Sequence, residues 1–251
     1  IKKRGIEPKV TVILKKKDDR YYPIADETLD DLVGADVNFK HNAVSLDDGT
    51  DFDWDRQLLK KLTEQYKQIE GFKKDNKDYK PGKKRQKKID AIKEALRQYL
   101  IILAKDICEY MVSKGKKHIV FENIDGQFEK NFIKDCNFDD VRINKILRDI
   151  GIAEIKNVVT RIGRKYDICV SIVPSEYTSQ LCCDCWTIDE ENRPAQEVFK
   201  CVKCGHEYIN ADTHGASVIK TYVKSTVLRE ALLDKNPNGT GSYLPKDLTH
   251  S

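Results

Sequence analysis

Two groups of side chains in this 251-residue sequence have the type and spacing for metal chemistry. Cys182-Cys183-Asp184-Cys185 is followed, after fifteen residues, by Cys201-Val202-Lys203-Cys204-Gly205, so two CxxC knuckles stand at zinc-ribbon spacing. Two knuckles bring four thiolates into a tetrahedron, and Cys182, Cys185, Cys201 and Cys204 are the expected ligands of one zinc ion, with Cys183 left over. A closed four-thiolate site keeps no position open for a substrate, so its ion is expected to fold the segment and to do no chemistry. His206 could substitute as a ligand but is not needed.

The second group is carboxylic. Asp36 lies in Gly-Ala-Asp-Val-Asn, Glu122 ends the apolar run His-Ile-Val-Phe-Glu, and Asp212 opens the last helical pattern. An acid at the end of a buried strand is costly unless a cation compensates it. Hard oxygen ligands select magnesium or manganese. Two such ions about 3.5 to 4 Å apart would activate water and stabilise the leaving oxygen in phosphodiester hydrolysis. Each acid also has an ordinary role open to it. Asp212 can cap its helix, Asp36 can begin a turn, and Glu122 can pair with a lysine.

The elements that would carry these groups can be read from periodicity. Residues 9 to 24 alternate through Val10, Val12 and Leu14 and suggest a hairpin. LVGADV at 32 to 37 and NAVSL at 42 to 46 predict two strands, and the turn Asp47-Asp48-Gly49 leads to a third, in an antiparallel meander. From Asp55 the period changes to three and four through Leu58, Leu59, Leu62, Tyr66 and Ile69. Pro81-Gly82 breaks that helix, and a second runs from about Lys83 to Val112 on a stripe of Ile89, Ile92, Leu96, Tyr99, Leu103, Ile107 and Tyr110, giving a helical hairpin over 55–113. HIVFE and ICVSIV read as buried strands, with a helix over 141 to 166 between them that breaks at Gly151, and residues 212 to 232 return to helical spacing. Meander, helices, strand, helix, strand, insert, helix is the element order of a ribonuclease-H-like α/β fold, a mixed sheet flanked by helices. In that order the first strand and HIVFE would lie side by side, with the last helix across their ends, so the three acids would converge.

Composition sets the class. The chain is 39% hydrophobic and 34% charged, with no apolar run long enough for a membrane span and no signal peptide, so a cytoplasmic protein of a prokaryote or phage is expected. Eight cysteines without a secretion signal argue for thiols rather than disulfides. The 45 basic and 41 acidic residues nearly cancel to +4, but segment 72 to 88 concentrates the positive charge in Lys73, Lys74, Lys83, Lys84, Arg85, Lys87 and Lys88. Such a stripe attracts a phosphate backbone, and it also suits a solvated helix face. The chain begins at Ile1 in a strand-like segment, and it is expected to be part of a longer protein whose N-terminal domains lie upstream.

YTSQLCCDC at 177 to 185 and FKCVKCGHEYINADTHGA at 199 to 216 resemble the C-terminal signature of the TnpB and type V CRISPR (Cas-twelve) nucleases. GADVNFKHNAVSLDDG at 34 to 49 is similar to that family's first RuvC motif, and HIVFENID at 118 to 125 to its second. The resemblance covers roughly residues 30 to 225 and implies RNA-guided DNA cleavage, with guide RNA and target DNA as partners. It makes Asp36, Glu122 and Asp212 the catalytic acids holding two magnesium ions.

By the same resemblance residues 1–30 end a wedge-like oligonucleotide-binding barrel, and 31–176 form the RuvC core. Residues 177–209 are the target-nucleic-acid-binding zinc ribbon, 210–232 the third-motif helix, and 233–251 a flexible tail. Three features depart from the pattern: Asn38 stands where glycine is common, Trp186 where glycine usually follows the knuckle, and His214-Gly215 where Asn-Ala is typical. Gly215 costs about 1 kcal/mol in a helix, unless a strand approaches there. Two other functions compete: an RNA-guided module that binds and silences without cutting, and a guide-independent junction resolvase, which would need neither ribbon nor wedge. Oligomeric state is left open.

Overall fold

A computed structural model describes residues 29–38, 42–70, 82–123, 154–195, 198–208, 210–223 and 225. The expected N-terminal hairpin at 9–24, the wedge-like segment, residues 124–153 and the tail beyond 225 lie outside them.

The three-strand meander forms as β1 (Leu32–Val37), β2 (Asn42–Leu46) and β3 (Asp51–Asp53), antiparallel throughout, with Asp36 opposite Ser45. The turn between β2 and β3 closes through Leu46 N donating to Thr50 O at 2.8 Å, and Gly49 takes φ 84, a conformation that favours glycine. The chain then leaves the sheet for α1 (Arg56–Glu70) and α2 (Lys83–Ser113) and returns as β4 (His118–Glu122), parallel to β1. A second crossover through α3 (Ile155–Gly163) brings β5 (Cys169–Val173) parallel to β4. The result is a five-stranded mixed sheet in the order β3-β2-β1-β4-β5. A two-stranded hairpin, β6 (Phe199–Lys200) and β7 (Glu207–Tyr208), belongs to the cysteine-rich insert, and α4 (Ala211–Tyr222) follows it.

Strand alternation decides which residues meet which helix. Odd-numbered Val33, Ala35, Val37, Ile119 and Phe121 enter a large core with α1, α2 and α3. Even-numbered Leu32 and Val120 turn to the opposite face and pack on Val218, Ile219 and Tyr222 of α4. The register Ala35↔Phe121 sets β1 and β4 so that Asp36 and Glu122, both even, come to the α4 face at neighbouring strand ends. Parity alone therefore commits both acids to the side on which α4 arrives.

α2 buries Ile89, Ile92, Leu96, Leu100, Leu103, Ile107 and Met111, the spacing that the sequence predicts. Tyr99 and Tyr110 sit at the edge of that stripe, not in it. Tyr99 Oη donates to Asp53 O and accepts from Asp55 N, while Tyr110 Oη donates to Asp48, so both pin the β2–β3 region to the helix.

Two expected helices are described in part. The helix predicted over 141–166 is described only as α3, with its first part outside the described residues. The last helix, expected over 212 to 232, is described as α4 through Tyr222, with 224 and 226–232 outside the described residues.

α4 lies against β1 with no room between them. A Cβ added at Gly34 would fall 1.8 Å from the Ala216 carbonyl oxygen and 2.9 Å from Lys220 Cβ. Gly34 is held from the other side as well: its N–H donates to Asp47 Oδ1 at 2.8 Å, and Lys220 Nζ reaches Asp47 Oδ2 at 2.6 Å. Gly34→Ala is expected to force α4 off the sheet and to cost about 3 kcal/mol or more in urea unfolding, since backbone cannot yield as a side chain can. A loss below about 1 kcal/mol would show that the close approach is not required.

Candidate functional site

The three acids come from three elements and meet on the α4 face. Glu122 is 8% exposed, Asp36 is half-buried, and the Asp212 side chain is 13% exposed. The Asp36 and Glu122 carboxyl groups stand near enough to act on each other directly, and two carboxyl groups can hydrogen-bond only when one of them is protonated. Burial pushes Asp36 well above the usual carboxylate range, the negative charges of Glu122 and Asp212 push it further, and Arg193 opposes. Burial likewise raises Glu122, to about 7, against the Thr178 hydroxyl, Arg193, Asp36 and Lys156, which all favour its ionised form. The two titrate as one pair.

α4 is capped by Asn210, whose Oδ1 accepts from Asp212 N at 2.9 Å and Thr213 N at 3.3 Å. The capping role open to Asp212 is thus filled two residues earlier, and its carboxylate turns to β1 instead. There Asn38 Nδ2 donates to Asp212 Oδ2 at 2.6 Å, while Arg193 stands 3.8 Å from Oδ1. Asn38 is itself fixed, because its carbonyl accepts from the buried Trp54 indole at 2.9 Å. Glu122 accepts from Thr178 Oγ1 at 3.1 Å, which answers the pairing role by a hydroxyl rather than by a lysine alone.

Gly215 has its reason here. A Cβ at that position would stand 3.2 Å from Asp36 Oδ2, so the helix passes the carboxylate closer than an alanine would comfortably allow.

These groups suit a divalent cation by their chemistry. A cluster of oxygen donors whose carboxyl groups are pushed toward the protonated form by burial and mutual repulsion is one in which a hard cation can take the proton's place. The sign for stability follows from the raised value. In the metal-free chain the pair stays protonated on folding, so its contribution is present below Glu122's ordinary 4.5 and is lost as pH rises through about 7. Glu122→Gln, which cannot ionise, is therefore expected to gain in Tm over the unchanged chain between about pH 5 and about pH 8 in chelator. A constant difference would mean that the carboxyl is not held protonated.

The four cysteines close into a second group. Their Sγ atoms all lie within 4.8 Å of one another, with Cys182 and Cys204 at 3.7 Å and Cys185 and Cys201 at 3.4 Å. A tetrahedron of zinc–sulfur bonds of about 2.3 Å has edges near 3.8 Å, so the sulfurs fit that ion. The knuckles turn alike: Gly205 follows the second with φ 74, and Trp186 follows the first with φ 59. Trp186 thus accepts a backbone conformation that its glycine counterpart takes freely. Cys183 stays outside the group and packs beside Val218 and Tyr222. His206 Nδ1 pairs with Asp184 at 2.8 Å, away from the thiolate set.

Of the basic stripe, Lys83, Lys84, Lys87 and Lys88 are exposed and Arg85 half-buried on the first turns of α2, while Lys73 and Lys74 lie outside the described residues. Cations at a helix N-terminus oppose its dipole, so their presence there is not a stabilising device.

Arg193 escaped the sequence reading. It is the one arginine between the knuckles, in Asp-Glu-Glu-Asn-Arg-Pro, and that placement among acids was the available signal. Asn38 was noticed as a departure, but its bond to Asp212 spans 174 positions and has no local trace.

A family profile for the Cas12f1-like TNB domain matches residues 153–219, which hold α3, β5, the whole ribbon and Asp212. This segment is similar to the TnpB and type V CRISPR family. A CRISPR-associated endodeoxyribonuclease Cas12f1 of Syntrophomonas palmitatica is 27% identical over 103 residues, 41% of this chain and 18% of that protein. The Cas12f1 endodeoxyribonuclease of Sulfoacidibacillus thermotolerans is 48% identical over 44 residues, 18% of this chain and 10% of its own length. A solved complex of Cas12f1 with sgRNA and target DNA shares the fold at TM-score 0.53 and 18% identity, covering 75% of this chain and 49% of that one. The matched regions thus span less than half of those proteins. Among the described residues no helix is long and apolar enough to cross a membrane.

Proposed function

We propose that this chain is the catalytic portion of an RNA-guided DNA endonuclease, with a ribonuclease-H-like RuvC core in which Asp36, Glu122 and Asp212 hold two magnesium ions. The observation that carries the reading is the meeting of three acids, from two parallel strand ends and a helix start, on one face of the sheet. The sheet order and the Cas12f1 likeness support it.

When bound, magnesium would supply the charge that lets a water attack a phosphodiester and its leaving oxygen depart. The chain's own residues do the rest. Asp36 and Glu122, in their ionised forms, would present oxygens from adjacent strands. Asn38 holds one Asp212 oxygen and so orients the other. Arg193, 3.8 Å from Asp212 Oδ1, stands beside the acids where its guanidinium could meet the scissile phosphate as a bidentate donor. Arg193→Ala is expected to lower kcat by about a hundredfold with little change in guided binding. Equal cleavage by both proteins would remove that role.

Guide RNA and target DNA are the proposed partners, with Lys73, Lys74, Lys83, Lys84, Arg85, Lys87 and Lys88 tracking backbone phosphates and the cytoplasm as the site of action. One zinc ion is proposed for Cys182, Cys185, Cys201 and Cys204. The proposed division is a wedge-like end at 1–30, a core at 31–176, the ribbon at 177–209, the third-motif helix at 210–232 and a tail at 233–251. The test is magnesium-dependent cleavage of guide-matched duplex and of single-stranded DNA by the full-length protein with its RNA. Guided binding without cleavage would favour a silencing module; guide-independent cutting would favour a resolvase.

A further inference from the structure

α4 begins inside the zinc ribbon. Its first residue, Ala211, is buried in one cluster with Cys182, Phe199 and Cys201. Three residues on, His214 is 1% exposed and lies flat on Phe199, with ring centroids 3.6 Å apart and planes 24° apart, and it leans on Tyr208 at 4.5 Å. Phe199 and Tyr208 are cross-strand partners in the hairpin that presents Cys201 and Cys204. The same imidazole is hydrogen-bonded to the backbone of Leu181, the residue before Cys182. One side chain on α4 therefore touches residues that flank both knuckles. It stands two positions from Asp212 and next to Gly215, which lies against Asp36.

Nε2 of that ring is buried and has no hydrogen-bond partner among the described residues. An orphaned polar atom in a packed interior is kept at a cost, so the ring is retained for its shape and its other nitrogen.

We propose that His214 is a positioning residue: it clasps the helix start that carries Asp212 onto the zinc ribbon, so that the ribbon's zinc sets the affinity of the acid cluster for its divalent metal. The proposal rests on the metal-site reading of Asp36, Glu122 and Asp212. It assigns the ribbon's zinc, four thiolates removed from any chemistry, a measurable effect on a different ion.

The physical steps are short. Zinc fixes the β6–β7 hairpin, and the hairpin fixes the Phe199 and Tyr208 rings. Those rings fix His214, and two helix positions, about half a turn, relate His214 to the Asp212 backbone. Groups that orient metal ligands from behind change metal affinity by about 10- to 100-fold when removed.

The test is a calorimetric Mn2+ titration of the zinc-loaded chain, with zinc content measured on the same samples. His214→Ala is expected to keep one zinc and to bind Mn2+ about tenfold more weakly. His214→Phe keeps a flat ring without the orphaned nitrogen, and its Mn2+ affinity should stay within about threefold of the unchanged chain. Cys204→Ser should weaken Mn2+ binding by a similar factor, and adding His214→Ala to it should cause little further loss, because both changes break one path. Unchanged affinity in zinc-loaded His214→Ala, a loss in His214→Phe equal to that in His214→Ala, or additive losses in the double variant would each overturn the clasp. Mn2+ binding that survives Asp36→Ala would instead overturn the metal-site reading beneath it.

Discussion

Asp36→Ala in the full-length, guide-loaded protein is expected to reduce cleavage by about a thousandfold or more while leaving guided binding intact, because the variant loses charge stabilisation made only in the transition state. The variant should also relax the site it leaves. Glu122 would lose its carboxyl neighbour, and Gly215 would face a gap where the carboxylate lay. The fold should tolerate this, since removing a buried carboxyl that must be kept protonated relieves a cost rather than adding one. Thermal unfolding in chelator should therefore show Asp36→Ala no less stable than the unchanged chain at about pH 8. A variant that cleaves normally would remove Asp36 from the machinery, and one that fails to fold would make the carboxyl structural.

Cys201→Ser is expected to abolish zinc binding and to unfold the ribbon. Cys201 is buried among Cys182, Phe199 and Ala211 and faces Cys185 at 3.4 Å, so a serine there removes one of four ligands and leaves a hydroxyl in an apolar cluster. Structural zinc sites contribute on the order of 10 kcal/mol to the folding of small modules at neutral pH, which far exceeds what a two-residue hairpin and a few aromatic contacts can replace. The loss should be local. The sheet and α1 to α3 share a separate, larger core, so amide exchange should accelerate over 177–208 and at the start of α4 while β1, β4 and α2 stay protected. Uniform protection in the variant would mean that the ribbon folds without its metal.

The strands and the long helices were legible because their signals are local. β1, β2 and β4 occupy the β-branched runs read from the sequence, and α2 differs by a residue at its end. The convergence of Asp36 with Glu122 was half legible. Parity places both on one face of their strands, but the register Ala35↔Phe121 that makes them neighbours is set by packing between segments more than eighty residues apart. Gly34 went unremarked, because a glycine in a strand announces a close approach only when the approaching Ala216 carbonyl is known. Gly215 was recognised as anomalous, and its cause, the Asp36 carboxylate, lies across the site. Asn210 was legible as a cap in principle; its presence two residues before Asp212 is what frees that acid for the site. Asn38, Thr178 and Arg193 reach their acids over separations of 174, 56 and 19 positions (the last by subtraction of 193 from 212), and such pairings leave no periodic trace.

The account turns on whether the acid cluster holds a pair of divalent ions. Electron paramagnetic resonance of the zinc-loaded chain titrated with Mn2+ addresses this directly, since two manganese ions about 3.5 to 4 Å apart give a spin-coupled spectrum that isolated ions do not. The account predicts a coupled pair that forms more readily as pH rises through about 7 and disappears in Asp36→Ala. A spectrum of isolated Mn2+ alone, or a coupled signal that persists unchanged in Asp36→Ala, would contradict it.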